Sequence, residues 1–552
     1  MKKKNSPNTG QSQQSGPDTN RFPQSGNRGR PDYPQSKENK SQDGDSGRPN
    51  YQHRKERKSL GGKKLKILFA ASEAVPFIKS GGLGDVCGAL PKILKKLGHD
   101  VRLVLPRYWS ISKEKYGMKP ILGPMGIPTG NGVMWCQVLE GRSDGFPVYF
   151  IEHESYFGRA GLYDDGNWEF ADNPERFGFF SRACLQLCQD LKFQPDIIHC
   201  HDWQTALVAP YLKIWEQHNP FFAGTASVFS IHNIAYQGTF KADAYGFLGL
   251  GRDNFTDAKF ENFGGINFMK GSIFYADAVT TVSPTYAKEI LGEPGANGLS
   301  TYIQRRKEDL FGILNGADYD HWNPETDELI PANYSSRDMS GKKLCKKALQ
   351  KEFLLNPEGN LPIIGIVSRF AEQKGFQHLM LVMHRILRDM AVQFAIIGSG
   401  DKGQEDFFGG LPALYPGKVG AWIGYNDRKA HLIEAGADFF LMPSLYEPCG
   451  LNQIYSLKYG TLPIARATGG LKDTIIPYDE KSGFGTGFLY NQGTPAAIYD
   501  TVGWAVSTYY DRPEHMELMR KRAMLQHFSW ADAAKQYEDV YQKALLRRET
   551  WQ

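Results

Sequence analysis

KLKILFAASEAVPFIKSGGLGDVCGALPKILKKL, from Lys64 to Leu97, is the segment of this 552-residue chain from which the remainder can be understood. Its apolar run Ile67–Phe69 has the length and composition of a buried parallel strand. Apolar residues then recur at helical spacing between Ala89 and Leu97. The segment therefore predicts a strand that leads into a helix through one loop, the repeating unit of α/β proteins.

The loop between this strand and this helix carries Lys79, Ser80, Gly81 and Gly82. Because glycine has no side chain, a ligand can approach the backbone N–H groups at the start of the helix, where anions are favoured. Lys79 adds a mobile positive charge beside those groups. The loop therefore predicts a binding site for a phosphate or a pyrophosphate.

The beginning of the chain differs in composition from everything that follows. Its first 58 residues hold 13 Lys or Arg, 6 Asp or Glu, and no Leu, Ile, Val or Ala. Such a segment cannot bury enough apolar surface to fold, so we expect residues 1–62 to form a disordered basic tail. The tail carries a charge of +7 against +5 for the whole chain, which leaves −2 for the remainder. A nearly neutral folded part argues against a nucleic-acid partner.

The cysteine content and the lack of targeting signals predict where in the cell the protein resides. The chain has 7 cysteines and no CxxC pair, a composition typical of free thiols in a reducing environment. It shows neither a secretory signal nor an apolar run long enough for a membrane, and acidic residues in the tail argue against a plastid transit peptide. The sequence therefore predicts a cytoplasmic protein without a membrane partner, and leaves the oligomeric state open.

Strand-like and helix-like segments alternate in two successive series after the tail. The first series predicts an N-terminal Rossmann-like domain over residues 63–320, and the second predicts a C-terminal one over residues 321–530. The amphipathic run Trp530–Leu546 predicts a final helix, within residues 531–552, that packs back on the N-terminal domain. The predicted fold is thus α/β, with two doubly wound domains facing a central cleft. Its predicted strands after the first are His99–Pro106, Val148–Glu152, Pro195–Cys200, Ala226–Ile231, Pro362–Ser368, Gln393–Ile397, Val419–Ile423, Phe439–Met442 and Leu462–Ala465.

Polar residues follow strands in the second series. Arg369 and Lys374 come after one strand and match the needs of a pyrophosphate, although a solvated run of charges is an equal alternative. Glu447 precedes a helix, where it could accept hydrogen bonds from a sugar beside the N–H groups of Gly450–Leu451. Helix capping is the alternative explanation for Glu447. A further glycine-rich loop, Thr468–Leu471, follows the next strand.

Two other kinds of site are disfavoured by the sequence. His199 and His201 would share one face of a strand, but no third metal ligand is suggested nearby. The glycines at positions 82, 84 and 88 do not have the spacing of a dinucleotide-binding loop, and the following strand ends without an acidic residue for a ribose. We therefore expect no metal and no cofactor.

Taken together, these loops resemble those of the bacterial and plastid glycogen and starch synthases. The resemblance covers about residues 63–545 and is specific, because seven motifs occur in one order. The family usually has Thr where Ser80 stands and often Ala where Gly84 stands, and both changes are small. The motifs are Lys79–Val86, His201–Trp203, His232–Gly238, Ile313–Gly316, Arg369 with Glu372–Gly375, Glu447–Leu451 and Thr468–Leu471.

The resemblance implies a GT-B glycosyltransferase. Such an enzyme would move glucose from ADP-glucose to the non-reducing 4-hydroxyl of an α-1,4-glucan such as glycogen, with retention of anomeric configuration and without a metal. Lys79 and the Gly82 amide would then contact the donor phosphates, and Asp85 would help to hold the nucleotide end. Arg369 and Lys374 would neutralise the charge that grows on the leaving diphosphate.

The same resemblance implies roles on the sugar side. His232 and Asp202 would line the glucose and the acceptor, and Glu447 would bind sugar hydroxyls or oppose the positive charge of the reacting sugar. Because Glu447 has no obvious nucleophile partner, we expect departure and attack on one face of the sugar, with the phosphate as base. The other residues implied to line the substrates are Asn315, Cys449, Gly450, Leu451, Thr468, Gly469 and Gly470.

Two alternatives stay open on the sequence alone. A related retaining GT-B enzyme could use UDP-glucose or a small acceptor. A catalytically silent glucan-binding protein could keep the fold without the reaction, but the joint presence of Lys79, His232, Arg369, Lys374 and Glu447 argues against it.

Overall fold

The computed structural model describes residues 63–143 and 145–550, so the predicted basic tail lies outside the described residues. Within that part of the chain there are two large sheets, one of ten strands and one of six. Helices cover the strands, which confirms the predicted α/β class. The boundaries of the two domains stay predictions, although the first sheet ends at Gly312 and the second begins at Ile363.

The first sheet is built around the strand that opens the chain's folded part. Its order is β13-β12-β8-β7-β1-β2-β6-β5-β3, with β4 paired to β5. The neighbours from β13 to β6 are parallel, and β5 pairs antiparallel with β3, β4 and β6. The strands are β1 (Lys66–Ala70), β2 (Asp100–Pro106), β3 (Lys119–Pro120), β4 (Met125–Thr129), β5 (Gly132–Ser143), β6 (Phe146–Glu152), β7 (Ile197–His201), β8 (Ala226–Ile231), β9 (Thr239–Lys241), β10 (Glu261–Asn262), β11 (Gly265–Asn267), β12 (Ala278–Thr281) and β13 (Leu310–Gly312).

Strands β9 to β11 form a separate small antiparallel sheet. The helices of this half lie in the connections between strands, as parallel sheets require. They are α1 (Gly82–Lys96), α2 (Glu154–Phe157), α3 (Asn173–Asp190), α4 (Asp202–Thr205), α5 (Val208–Ile214), α6 (Tyr245–Leu248), α7 (Phe268–Tyr275), α8 (Pro284–Glu289) and α9 (Ser300–Gln304).

The second sheet is parallel throughout its described strands, in the order β16-β15-β14-β17-β18-β19. Its strands are β14 (Ile363–Phe370), β15 (Gln393–Gly400), β16 (Val419–Ile423), β17 (Phe439–Met442), β18 (Leu462–Arg466) and β19 (Phe488–Tyr490). Its helices are α10 (Ser340–Glu352), α11 (Phe376–Asp389), α12 (Lys402–Leu414), α13 (Asp427–Gly436), α14 (Asn452–Lys458), α15 (Gly469–Thr474), α16 (Pro495–Asp511) and α17 (Pro513–Leu525).

The final helix, α18 (Trp530–Thr550), belongs to the hydrophobic core of the first sheet. Its Tyr541 hydroxyl lies 2.9 Å from Nδ1 of His199 on β7. Its Glu538 carboxylate lies 2.8 Å from Nε2 of His99. The chain thus crosses to the second sheet and returns to the first.

The predicted strands are present, with small differences at their ends. The strand predicted at Pro195–Cys200 is β7, which begins two residues later and ends at His201 because His201 pairs with Ser230 in β8. The strand predicted at Val148–Glu152 begins earlier, at Phe146, because the antiparallel hairpin with β5 extends it. The strands that the prediction did not include are β3, β4, β5, β9, β10, β11, β12, β13 and β19.

Candidate active site

The glycine loop before α1 is held by a carboxylate that the sequence analysis did not single out. Glu73 accepts hydrogen bonds from the backbone N–H and, at 2.7 Å, from the hydroxyl of Ser80. The Tyr163 hydroxyl donates to the same carboxylate at 2.6 Å. Glu73 is buried, so these bonds fix the loop in place. The N–H of Gly82, at the helix start, has no hydrogen-bond partner among the described residues.

Lys79 and Asp85 face one another across this loop. The Lys79 ammonium lies 2.7 Å from Oδ1 of Asp85, and the lysine side chain is half exposed. Burial raises the pKa of the Asp85 carboxyl above its usual value, although the Lys79 charge acts in the opposite direction. Lys79 is therefore an exposed cation whose position is set by a more buried acid.

A buried polar group lies where β7 and β8 end. Asp202 accepts a hydrogen bond from the backbone N–H of His232 at 2.7 Å, and it adopts a left-handed backbone conformation with φ of 52°. Burial raises the pKa of Asp202 to about 8, although bonds from the N–H groups of residues 232 and 233 oppose the rise. Burial also lowers the pKa of His232 to about 3, which keeps its ring neutral at pH 7.

The His232 ring continues into a row of histidines along the sheet. Its Nε2 lies 3.0 Å from Nδ1 of His201, whose own ring lies 4.2 Å from that of His199 between centroids. Both ring nitrogens of His199 bond hydroxyl groups, from Tyr541 at 2.9 Å and from Ser230 at 2.7 Å. His199 thus has no nitrogen left for a metal.

On the second domain, Lys374 and Glu447 form an ion pair. Lys374 Nζ lies 2.6 Å from Oε2 of Glu447, which also accepts a hydrogen bond from the Ser444 hydroxyl at 3.0 Å. Glu447 is buried and Lys374 is mostly buried. Helix capping does not explain Glu447, because α14 begins only at Asn452. The pair therefore places one cation and one acid at the exits of neighbouring strands.

Arg369 lies near the end of β14, five residues before Lys374 in the chain. Its side chain is exposed, and within residues 63–143 and 145–550 no group bonds to its guanidinium. Lys374 follows in a short turn that Gly375 closes with φ of +71°. A Cβ on Gly375 would lie 2.0 Å from the carbonyl oxygen of Pro443, so this position has room only for glycine.

The loop Glu447–Leu451 is packed on the glycine pair that opens α15. The N–H of Gly470 donates to the Glu447 carbonyl oxygen at 3.1 Å, and a Cβ on Gly469 would lie 1.9 Å from that oxygen. Burial raises the pKa of the Cys449 thiol to about 12, so this sulfur stays protonated. The N–H groups of Gly450 and Leu451 find no hydrogen-bond partner in the described part of the chain.

Asn315 reaches the same loop from the segment after β13. It is buried, and its side-chain oxygen has no hydrogen-bond partner among the residues that the structure describes. Its backbone N–H interacts with the Cys449 sulfur. Asn315 therefore brings an unsatisfied acceptor beside the loop that carries Glu447.

Thr468 and Gly469 are engaged by the first half of the chain. The Glu289 carboxylate accepts from the Thr468 hydroxyl at 3.1 Å and from the Gly469 N–H at 3.0 Å. Thr285 bonds Asp473 through its N–H at 2.8 Å and its hydroxyl at 2.6 Å. These groups form a polar seam between α8 and α15, and sequence reasoning missed Glu289, Thr285 and Asp473.

Further contacts show that the two sets of loops face one another. The Ser283 hydroxyl donates to the Pro448 carbonyl oxygen at 2.6 Å, next to Glu447. The Asn233 amide lies 3.5 Å from the Gln373 side-chain oxygen, which joins the residues beside His232 and Lys374. Burial raises the pKa of the Tyr455 phenol in α14 well above its usual value, and the negative charge of Asp85 adds to the rise. The carboxyl ends of both sheets therefore border one cleft.

Two further properties of the chain concern its cysteines and its helices. All 7 cysteines lie within the described residues and are buried and free. Among the helices that the structure describes, none is long and apolar enough to cross a membrane.

Comparison with known proteins shows where this arrangement recurs. A family model described as the starch synthase catalytic domain matches residues 66–305, and one described as glycosyl transferases group 1 matches residues 349–524. Glycogen synthase 1 of Geobacter metallireducens is 48% identical over 489 residues, which cover 88% of this chain and 97% of that protein. Glycogen synthase of Treponema denticola is 42% identical over 88% of this chain and 99% of its own length.

Solved structures agree with these matches. The catalytic domain of starch synthase IV from Arabidopsis thaliana, bound to ADP and acarbose, is 32% identical, with a TM-score of 0.80 over 88% of this chain and 100% of that one. Sucrose-phosphate synthase from Thermosynechococcus elongatus, 16% identical with a TM-score of 0.54, shares the fold. The chain therefore belongs to the glycogen and starch synthase family of GT-B glycosyltransferases, as its loop motifs predicted.

Proposed function

We propose that this protein transfers glucose from ADP-glucose to the non-reducing 4-hydroxyl of an α-1,4-glucan such as glycogen, with retention of configuration. The observation that carries the proposal is the Lys374–Glu447 pair, 2.6 Å apart, at the cleft that the two sheets share. The exposed Arg369 lies near the end of the strand that precedes Lys374, and the free N–H groups of Gly450 and Leu451 follow Glu447 in the chain. Such a set suits a sugar joined to a diphosphate.

The donor phosphates are the part of the substrate for which the cations are suited. We assign Lys79 and the free N–H of Gly82 to the phosphates, because a helix start and a mobile ammonium both favour anions. Asp85 orients Lys79 through their 2.7 Å contact and helps to hold the nucleotide end. The starch synthase IV structure that this chain resembles is bound to ADP, which supports a donor of that type.

The chemical step needs positive charge at the leaving group. As the bond between glucose and diphosphate breaks, Arg369 and Lys374 meet the charge that develops on the departing ADP. The acceptor hydroxyl attacks the same face, and its proton passes to the leaving phosphate oxygen. Glu447 opposes the positive charge of the reacting sugar or binds its hydroxyls, and it is held for that task by Ser444 and Lys374.

The sugar and the acceptor are assigned to the polar groups at the ends of β7 and β8 and to the loops beside them. A neutral His232 can exchange hydrogen bonds with sugar hydroxyls, and Asp202 fixes the backbone of His232. The unsatisfied oxygen of Asn315 supplies a further acceptor. We assign the substrate-lining role also to Cys449, Gly450, Leu451, Thr468, Gly469 and Gly470, of which Thr468 and Gly469 bond Glu289 in this structure.

Two further parts of the proposal concern the setting. We propose domain boundaries after residues 320 and 530, since the last strand of the first sheet and α18 lie on either side of the second sheet's residues. We also assign the enzyme to the cytoplasm, for which the buried free thiols are the support. No nucleic-acid or membrane partner is part of the proposal.

The identity of the donor is tested by comparing two nucleotide sugars. Purified enzyme is given glycogen and equal concentrations of labelled ADP-glucose or UDP-glucose, and incorporation into the glucan is measured. We expect ADP-glucose to be used with the higher kcat/KM. Preference for UDP-glucose would leave a related GT-B transferase as the function, and no incorporation from either donor, with glucan binding intact, would leave a silent glucan-binding protein.

A further inference from the structure

A cluster of metal-ligating side chains lies outside the residues assigned to glucosyl transfer. His321, Asp427 and His431 place their ligating atoms within 4.8 Å of one another. His321 belongs to the connection between β13 and α10, whereas Asp427 opens α13 and His431 follows on the next turn. The spacing of four residues puts the last two on one face of the helix. Two separate segments of chain therefore converge on one point.

The distance between the two imidazoles fits a single ion. Nε2 of His431 and Nε2 of His321 are 3.3 Å apart. Two nitrogens bound to one tetrahedral ion at about 2.0–2.1 Å lie about 3.3–3.4 Å from each other. Oδ2 of Asp427 lies 3.8 Å from Nε2 of His321, and Oδ1 of the same carboxylate lies 4.0 Å from Nε2 of His431. A small rotation of the half-exposed Asp427 side chain would bring one of these oxygens to bonding distance from the same ion.

A buried carboxylate fixes the ring of His431 from behind. Asp327 Oδ2 lies 2.8 Å from Nδ1 of His431 and accepts a hydrogen bond from the Tyr459 hydroxyl at 2.5 Å. Donation from Nδ1 leaves the lone pair on Nε2, directed at His321. Trp322 stacks on the ring with centroids 3.7 Å apart, which prevents rotation. Metal-binding histidines commonly have such a carboxylate partner on the second nitrogen.

The three groups also differ in exposure in a way that suits a bound ion. His431 is fully buried, and the side chains of Asp427 and His321 are 43% and 51% exposed. An ion can thus reach the site from solvent and still be anchored on a rigid helix. The Tyr425 hydroxyl lies 2.8 Å from Oδ1 of Asp427 and restrains the carboxylate.

From this geometry we infer that His321, Asp427 and His431 bind one divalent transition-metal ion, with Zn²⁺ as the best match. Two imidazoles and one carboxylate are borderline ligands that Zn²⁺ accepts, and a water molecule completes the tetrahedron. The ion joins the connection between the two sheets to α13, so its role is to stabilise that connection. It has no part in the transfer step.

The test uses the full chain without an affinity tag, freed of metal with a chelator. Co²⁺ is added as a spectroscopic probe and Zn²⁺ in a calorimetric titration, and the thermal unfolding temperature is measured with each. His321→Ala removes an exposed ligand, and Asp427→Asn keeps the size of the side chain while it weakens the donor. His218→Ala, an exposed histidine outside the cluster, is the matched control.

We expect one ion per chain, the visible absorption of tetrahedral Co²⁺, displacement of Co²⁺ by Zn²⁺, and a higher unfolding temperature with metal. His321→Ala should weaken Zn²⁺ binding by about 100-fold or more and abolish the thermal shift, with basal transferase activity unchanged. Asp427→Asn should weaken binding as well, and His218→Ala should behave like the unmodified chain. No stoichiometric binding, or binding that is equal in His321→Ala and the unmodified chain, would overturn the site.

Discussion

The Lys374–Glu447 pair and Arg369 differ in how their charges are held. Two opposite charges 2.6 Å apart in a mostly buried place satisfy one another before any substrate arrives. Arg369 is different, because its guanidinium is exposed and unbonded in the described part of the chain. One cation is thus fixed by its acid, while the other is free to meet a ligand.

Substitution of either cation should slow catalysis, but only the loss of Lys374 should also destabilise the fold. Arg369→Ala and Lys374→Ala should each lower kcat about 100-fold, because each removes a charge that faces the leaving diphosphate. Lys374→Ala should also lower the unfolding temperature, because it leaves the Glu447 carboxylate buried without its cation. Steady-state kinetics and thermal unfolding test this, with the exposed Lys402→Ala as the control. A normal kcat with only a raised KM for the donor would contradict the leaving-group role.

The buried carboxyl of Asp202 should make stability depend on pH. Its pKa is about 8 in the folded protein and near 3.8 in the unfolded chain, so the folded state holds the extra proton between these values. Stability contributed by Asp202 is therefore lost as the pH rises from about 4 to about 8. Asp202→Asn keeps an acceptor for the His232 N–H and removes this loss. We expect the unfolding temperature of Asp202→Asn, relative to that of the unmodified chain, to rise as the pH increases to about 8. The same difference at pH 5 and pH 9 would contradict the raised pKa of Asp202.

At the scale of elements, hydrophobic periodicity was sufficient for most of the strands. β8, β16 and β17 have the predicted bounds, because each is a short apolar run, and β8 and β17 are buried along their whole length. The hairpin of β4 and β5 was missed because its strands lie towards the sheet's edge and mix exposed with buried residues. Pattern alone thus finds continuous apolar runs better than strands of mixed composition, whether they lie inside a sheet or, like β16, at its edge.

The residues of the candidate site were also predicted only in part. Glycine loops and strand exits were visible in the sequence, because each is a local pattern. Glu289 and Asp473 were not, since they bond groups 180 and 188 residues away in the chain, and single acidic residues on helices carry no signal of such partners. Glu73 was missed for a related reason, as its role appears only when the loop folds back on it.

The start of α15 should tolerate no side chain. Gly469 has φ of +43°, and a Cβ there would lie 1.9 Å from the Glu447 carbonyl oxygen, so Gly469→Ala must displace the loop that carries Glu447. We expect kcat to fall by at least about tenfold and the unfolding temperature to drop. Gly224→Ala is the matched control, because a Cβ on Gly224 meets nothing within 4 Å. Unchanged kinetics in Gly469→Ala would show that the loop position is not critical.

On the scale of the whole molecule, α18 makes the first domain depend on the end of the chain. Its residues complete the core over the first sheet, and Tyr541 bonds the fully buried His199 at 2.9 Å. The segment 530–550 therefore belongs physically to the half of the chain from which it is most distant in sequence. The core of the first sheet is therefore complete only when this segment is in place.

Removal of the Tyr541 hydroxyl measures how much α18 contributes to the stability of the first domain. Tyr541→Phe leaves His199 Nδ1 buried without a partner, which should lower the free energy of unfolding by about 1–3 kcal/mol. Activity at low temperature should be unchanged, since the Tyr541 hydroxyl bonds His199 and none of the assigned residues. Tyr510→Phe also removes a hydroxyl, one that bonds the Ala391 carbonyl oxygen at 2.8 Å, but its side chain is 44% exposed and water can replace the bond. Equal losses in the two variants would mean that α18 makes no special contribution.

The basic tail is expected to be dispensable for the reaction. All the assigned site residues lie between Lys79 and Gly470, and the first 58 residues contain no Leu, Ile, Val or Ala with which to join a core. A chain that starts at Ser59 should therefore keep kcat/KM within about tenfold of the full chain, or about 1.4 kcal/mol in transition-state stabilisation. A chain that starts at Ala71 is the contrasting control, because it lacks β1, the strand between β7 and β2 in the first sheet, and should not fold. If the chain from Ser59 is well folded but loses more than tenfold, the tail contributes to substrate binding or catalysis, and a glucan acceptor of graded length would show which.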